Sequence, residues 1–125
     1  MHKRVDYSSV FWRESVTTKG VGYAIRRVSL SQRIELTNSA RELVLGHEFL
    51  KAGETPDQLE AAMGDLLVRK LYLEWGLAEM RGLTIDGQPA TAELLAEKGP
   101  EPLSDEIISA IQAELGLSEE ERKNS

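Results

Sequence analysis

The residues Ser29-Leu30-Ser31-Gln32 divide this chain into two kinds of sequence. A serine followed three residues later by glutamine is a capping box: the serine hydroxyl accepts the third amide and the glutamine reaches back to the serine amide. Such a cap contributes about 1 kcal/mol to a helix start. Beyond it, RIELTNSARELVLGHEFLKA places Leu36, Ala40, Leu43, His47 and Leu50 on one stripe, and Gly53 is placed to end the helix. A second start follows, with Thr55 as cap, Pro56 at the first helical position and Gln58 closing another box. Leu59, Met63, Leu66, Leu67 and Leu71 then recur at helical spacing toward Trp75. Gly76 bends or ends this helix, and Gly82 marks a break. Two such helices joined by a few residues predict an antiparallel pair.

Before Ser29 the pattern is that of strands. VDYSSVFW and VGYAIRRV are rich in β-branched and aromatic residues, with Val21, Tyr23 and Ile25 alternating, and polar RESVTTKG lies between them. A hairpin alone is marginal in water, so these strands should rest on helices or on another chain. After Gly82, LTIDGQPAT reads as a short extended segment with Asp86-Gly87 at a turn, and Thr91 caps a short helix, AELLAEK, that stops at Gly99-Pro100. A last helix starts at Ser104, with Ile107, Ile108, Ile111 and Leu115 on its apolar face and Gly116-Leu117 as a glycine C-cap. The expected fold is mainly α, in the α+β class: an antiparallel helical bundle with a short N-terminal β-hairpin. A single domain would span 1–117, with strands in 1–28 and helices in 29–117. The tail 118–125, SEEERKNS, has no hydrophobe to offset the entropy of ordering and is expected to be disordered.

A chain of 125 residues, 41% hydrophobic, can build one core. It has no cysteine, so disulfides and thiolate metal sites are excluded. No stretch has the apolar length of a signal peptide or a bilayer span, and a soluble, cytoplasmic protein is expected. The net charge of −6 conceals an asymmetry: residues 1–53 carry nine Lys/Arg against five Asp/Glu, or +4, and the remainder carries six against sixteen, or −10. An acidic chain makes a poor non-specific nucleic-acid binder. A basic half beside an acidic half favours docking within the chain or between copies, unless both are simply solvated faces.

Reactive groups do not assemble into a motif. His47 in GHEF has Lys51 where a zinc-protease helix needs its second histidine, and the other histidine is His2. Gly20-Val21-Gly22 opens a strand rather than a helix and lacks the rest of a dinucleotide fingerprint. Asp86 offers one carboxylate without calcium-loop spacing, which leaves turn chemistry. Asp105 and Glu106 sit where a helix N-terminus favours negative charge. The chain is therefore expected not to be an enzyme, with no catalytic, cofactor-binding or metal residues. Contact residues are the better candidates: Phe11 and Trp12, adjacent on a flanking strand, unless the domain covers both; Trp75 on a helix seam, where core packing is the default; and Ile107 and Ile111 on the last helix.

The run from Tyr72 to Ser125 resembles the tail assembly chaperones of long-tailed bacteriophages and prophages. The matching residues are Trp75-Gly76 near the end of a long helix, Gly82, Asp86, Gly87 and Pro89 in the connection, Leu94 and Leu95, Ile107 and Ile111, and the charged Arg122-Lys123-Asn124. The resemblance implies a helical, non-catalytic protein that binds the tape-measure protein, keeps it soluble and helps tail-tube subunits assemble; the charge asymmetry adds a homo-oligomer as a possible state. The resemblance also implies a longer form made by ribosomal slippage, since Arg122-Lys123-Asn124 can be encoded by a run of adenines on which paired transfer RNAs shift back one base. An ordinary polar terminus is the competing reading of that tail. A structural or head-tail joining subunit, or another protein-interaction module, is the competing reading of the whole.

Overall fold

The computed structural model describes residues 4–51 and 57–116, with side chains for 4–46 and 63–116. Strands β1 (Val10–Glu14) and β2 (Gly22–Arg26) form the expected hairpin, with Phe11 opposite Ile25 and Arg13 opposite Tyr23. Helix α1 (Leu30–Lys51) begins as the capping box requires: the Gln32 amide donates to the Ser29 hydroxyl and the Ser29 amide to the Gln32 carbonyl oxygen, both at 3.2 Å. Helix α2 (Asp57–Gly76) runs directly into a strand, β3 (Leu77–Arg81). That strand pairs antiparallel with β2, giving one three-stranded sheet in the order β1-β2-β3.

The third strand departs from the sequence expectation of a hairpin alone. Leu-Ala-Glu-Met-Arg is helix-favouring by composition, but Gly76 ends the helix beside the open edge of β2, and backbone pairing there overrides propensity. The architecture is thus mixed α+β: the described residues form four helices with a small antiparallel sheet, and a helical bundle is not its organising feature. The Asp86-Gly87 turn joins two further short strands, β4 (Thr84–Ile85) and β5 (Gln88–Pro89), so the extended segment is a small hairpin. Asp86 has φ 52° and Gly87 φ 80°, the left-handed pair that a tight hairpin turn demands.

Thr91 caps α3 (Ala92–Lys98), its hydroxyl accepting from the Leu94 amide at 3.1 Å, and Gly99 closes it. Helix α4 (Glu101–Glu114) starts three residues earlier than Ser104, because Pro100 is its cap residue and Pro102 fits the first turn, where no amide is missed. Gly116, at φ 76°, follows its C-terminus as expected. Residues from Leu117 onward, including the tail and Arg122, Lys123 and Asn124, lie outside the described residues. So do Gly53, Thr55 and Pro56, and the side chains of His47, Leu50, Gln58 and Leu59.

The core lies between the inner face of the sheet and the helices. Val21, Tyr23 and Ile25 of the hairpin meet Val68, Tyr72 and Leu73 of α2 and Leu103, Ile107 and Ile111 of α4, and Leu95 of α3 closes one side. Burying each of these large side chains contributes about 1.5–3 kcal/mol. Helix α1 is peripheral: Leu36 is buried and Leu43 half-buried, and its Arg33 donates to the Leu115 carbonyl oxygen at 2.7 Å. Helix α2 is rotated from the expected face. Val68, Tyr72 and Leu73 turn inward, whereas Met63, Leu66 and Leu67 are exposed.

Candidate functional site

Three places concentrate chemistry, and the first is a carboxylate wrapped by a loop. Glu106, on the second turn of α4, faces the β1–β2 loop. Its Oε1 accepts from the Ser15 hydroxyl (2.8 Å), the Thr17 hydroxyl (2.7 Å) and the Thr17 amide (3.1 Å). Its Oε2 accepts from the Tyr23 hydroxyl (2.9 Å) and the Val16 amide (3.1 Å). Burial pushes this carboxyl upward, but the donors from Thr17, Ser15 and Tyr23 outweigh it and hold the group at about 2. Tyr23 moves the other way, to about 12, through burial first and then its hydrogen bond to the Glu106 charge. An open cavity of about 420 Å³ lies alongside, lined by Arg13, Val16, Ser109 and Ala113. A carboxylate this acidic stays ionised near neutrality and is a weak base, so this arrangement fastens a loop to a helix rather than moving protons. Glu106 was read from sequence only as a helix-start charge; its donors come from some ninety residues away and leave no local signal.

The second place is the outer face of the sheet. Alternation along β1 sends the two adjacent aromatics to opposite sides. Phe11 packs against the core, with the Arg27 guanidinium 4.9 Å and the Arg13 guanidinium 5.6 Å from its ring centre. Trp12 points outward, 41% exposed. Arg81 of β3 reaches across β2 to stack 4.7 Å from the Trp12 ring and to pair with Glu14 at 3.1 Å. It can cross because Gly22 has no side chain: a β-carbon there would stand 2.9 Å from Arg81 Nε. Of the pair expected to form a contact surface together, only Trp12 is free to do so.

The third place is a groove of about 470 Å³ between α2, α3 and α4. Its floor is Leu73, Leu95 and Ile108, all buried. One wall is the exposed row Met63, Leu66 and Leu67, and Gly99 and Ala96 keep the other low. Its rims carry opposite charge, Arg69 and Lys70 on α2 facing Glu101 and Asp105 on α4, with Arg69 paired to Asp105. Met63, Leu66 and Leu67 belong to the row that recurs at helical spacing, and their exposure here marks the groove.

Of the remaining expected contact residues, Ile107 and Ile111 are internal: both are fully buried and serve as core, a correction to their reading as contact residues. Trp75 is half-buried against the same core. Among the described residues no group of three His, Cys, Asp or Glu side chains could hold a metal ion, and no described helix is long and apolar enough to cross a membrane. No protein-family model, no curated protein and no solved structure matches the chain.

Proposed function

We propose that this chain is a non-catalytic, helix-binding assembly protein: a tail assembly chaperone of a long-tailed phage or prophage that shields an amphipathic segment of the tape-measure protein. The observation that carries this reading is the groove at Met63, Leu66 and Leu67, an apolar trough between oppositely charged rims. An amphipathic helix lays its apolar stripe into such a trough, and charges flanking the stripe choose its direction against the two rims. The resemblance of Trp75-Gly76, Asp86-Gly87, Pro89 and the last helix to that family supplies the identity of the partner. Ile34, Val44 and Leu45 on α1 are also exposed and could extend the same shielding surface.

The test is binding of the purified chain to helical segments of the tape-measure protein encoded beside it, read by fluorescence anisotropy. Wild-type protein should bind, and Met63→Asp with Leu66→Asp should abolish binding while leaving the circular dichroism spectrum unchanged. Absence of binding by the wild type, or binding indifferent to the two aspartates, rejects the groove. The edge of β1, unoccupied among the described residues, favours a second reading, a subunit retained in the particle, which mass spectrometry of purified virions would reveal.

A further inference from the structure

The outer edge of β1 is unoccupied among the described residues, and its register shows which backbone groups it offers. The Ser15 amide donates to the Val21 carbonyl at 2.8 Å, and the Arg27 amide to the Ser9 carbonyl at 2.8 Å. These two bonds bracket the β1–β2 ladder, so Phe11 and Arg13 turn their amides and carbonyls toward β2, and Val10, Trp12 and Glu14 turn theirs away. At Val10 the Ser8 hydroxyl takes the place of a neighbouring strand, donating to the Val10 carbonyl at 2.8 Å. Among the described residues Trp12 and Glu14 have no such substitute. The strand has no proline, glycine, lysine or bulge of the kind that blunts an edge, and its one inward charge, Arg13, lies over the Phe11 ring. The opposite edge of the sheet, by contrast, packs beside α3.

We infer that two copies of this chain pair antiparallel through their β1 edges, with the two-fold axis at Trp12, joining two three-stranded sheets into one. The register follows from charge. Centring the axis on Arg13 would set two guanidiniums face to face, and centring it on Glu14 two carboxylates. Centring it on Phe11 would bring together the two Arg27 side chains that overlie those rings. With the axis at Trp12 no like charges oppose each other along the strand. Phe11 then faces Arg13 of the second copy, and Glu14 faces Val10 of the second copy. Beside that Val10 stands Arg26, exposed and without an ion pair among the described residues. Glu14 gains a second cation there, and the two Trp12 rings, each backed by its own Arg81, meet on the outer face. This inference uses a surface separate from the groove and does not depend on what the groove binds.

Sedimentation of the full chain from micromolar to millimolar concentration reads the mass, and hydrogen exchange reads the edge. The expected result is a dimer forming with concentration, with the Trp12 and Glu14 amides becoming protected as it forms. Trp12→Glu, which places two carboxylates at the axis on a surface position, should leave the chain monomeric with its helical spectrum intact. Because the protein has no cysteine, Trp12→Cys supplies a single thiol at the axis and should cross-link under mild oxidation, whereas Glu14→Cys, four residues from its symmetry mate, should not. A monomer at every concentration overturns the proposal. So does a dimer insensitive to Trp12→Glu, or cross-linking at Glu14→Cys in preference to Trp12→Cys. Protection of the β1 amides only when another protein is added would assign the edge to that protein and also overturn self-pairing.

Discussion

Ile111 fills the space into which a side chain at Gly76 would project: three of its carbons would stand 2.7 Å from a β-carbon there. The last residue of α2 is therefore glycine for a packing reason, and the contact lets α4 come close enough for Ile111 to be fully buried.

Gly76→Ala should lower stability by about 1–3 kcal/mol, the usual range for overpacking a filled core. The thermal midpoint should fall accordingly, and Ile111→Val in the same chain should recover part of the loss, since neighbours that share a clash are not additive. If the double variant is less stable than the sum of the two single effects, the clash is not the cause.

The Glu106 cluster predicts how stability varies with pH at both ends of the scale. Glu106 titrates at 4.5 when unperturbed and at about 2 when folded, so its contribution is complete above about 4.5 and is lost as pH falls through 2. Tyr23 titrates at 10.0 when unperturbed and at about 12 when folded, so its contribution is complete below about 10 and is lost as pH rises through 12. Glu106→Gln should flatten the acid limb and lower mid-pH stability by about 1–3 kcal/mol, because the amide group cannot accept from all five donors. Denaturant midpoints measured across pH for wild type and variant would show it; an unchanged acid limb would refute the assignment.

Gly82 and Gly87 both have positive φ, 82° and 80°, but only one is crowded. A β-carbon at Gly82 would strike the Gly20 carbonyl oxygen, a backbone atom in the neighbouring loop, while Gly87 has open space. Gly82→Ala should therefore destabilise clearly more than Gly87→Ala, whose penalty is the left-handed backbone alone, about 1 kcal/mol. Chemical denaturation of the two variants in parallel gives the ordering, and equal losses would contradict it.

The reciprocal bonds of Ser29 and Gln32 predict a further, smaller effect. Ser29→Ala should reduce stability by about 0.5–2 kcal/mol, and Ser29→Asp should restore most of it, since either oxygen can accept the Gln32 amide. Loss in both variants would mean that the cap is not what starts α1.

Some of this protein is determined within a few residues of chain, and the sequence alone made it legible. The Ser29 capping box, the Thr91 cap, the Asp86-Gly87 turn and the stop at Gly99 all rest on hydrogen bonds or backbone angles spanning no more than about one helical turn. The apolar face of α4 was legible for the same reason, because only one side of that helix is apolar and so only one side can be buried. Helix α2 gave no such choice: Leu66 and Leu67 recur at helical spacing as convincingly as Val68 and Tyr72 do. Which row turned inward was decided by the packing of α2 against α4 and β2 around one core. Leu77–Arg81 became a strand because β2 offered backbone partners that its own composition does not reveal. The alternation of β1 separates Phe11 from Trp12, but pairing with β2 over the core decided which of them faces solvent. The five donors around Glu106 and the reach of Arg81 over Gly22 join residues distant in sequence. Contacts of that kind arise only once the chain has closed on itself, because no local hydrogen bond or side-chain period encodes a partner brought in by tertiary packing.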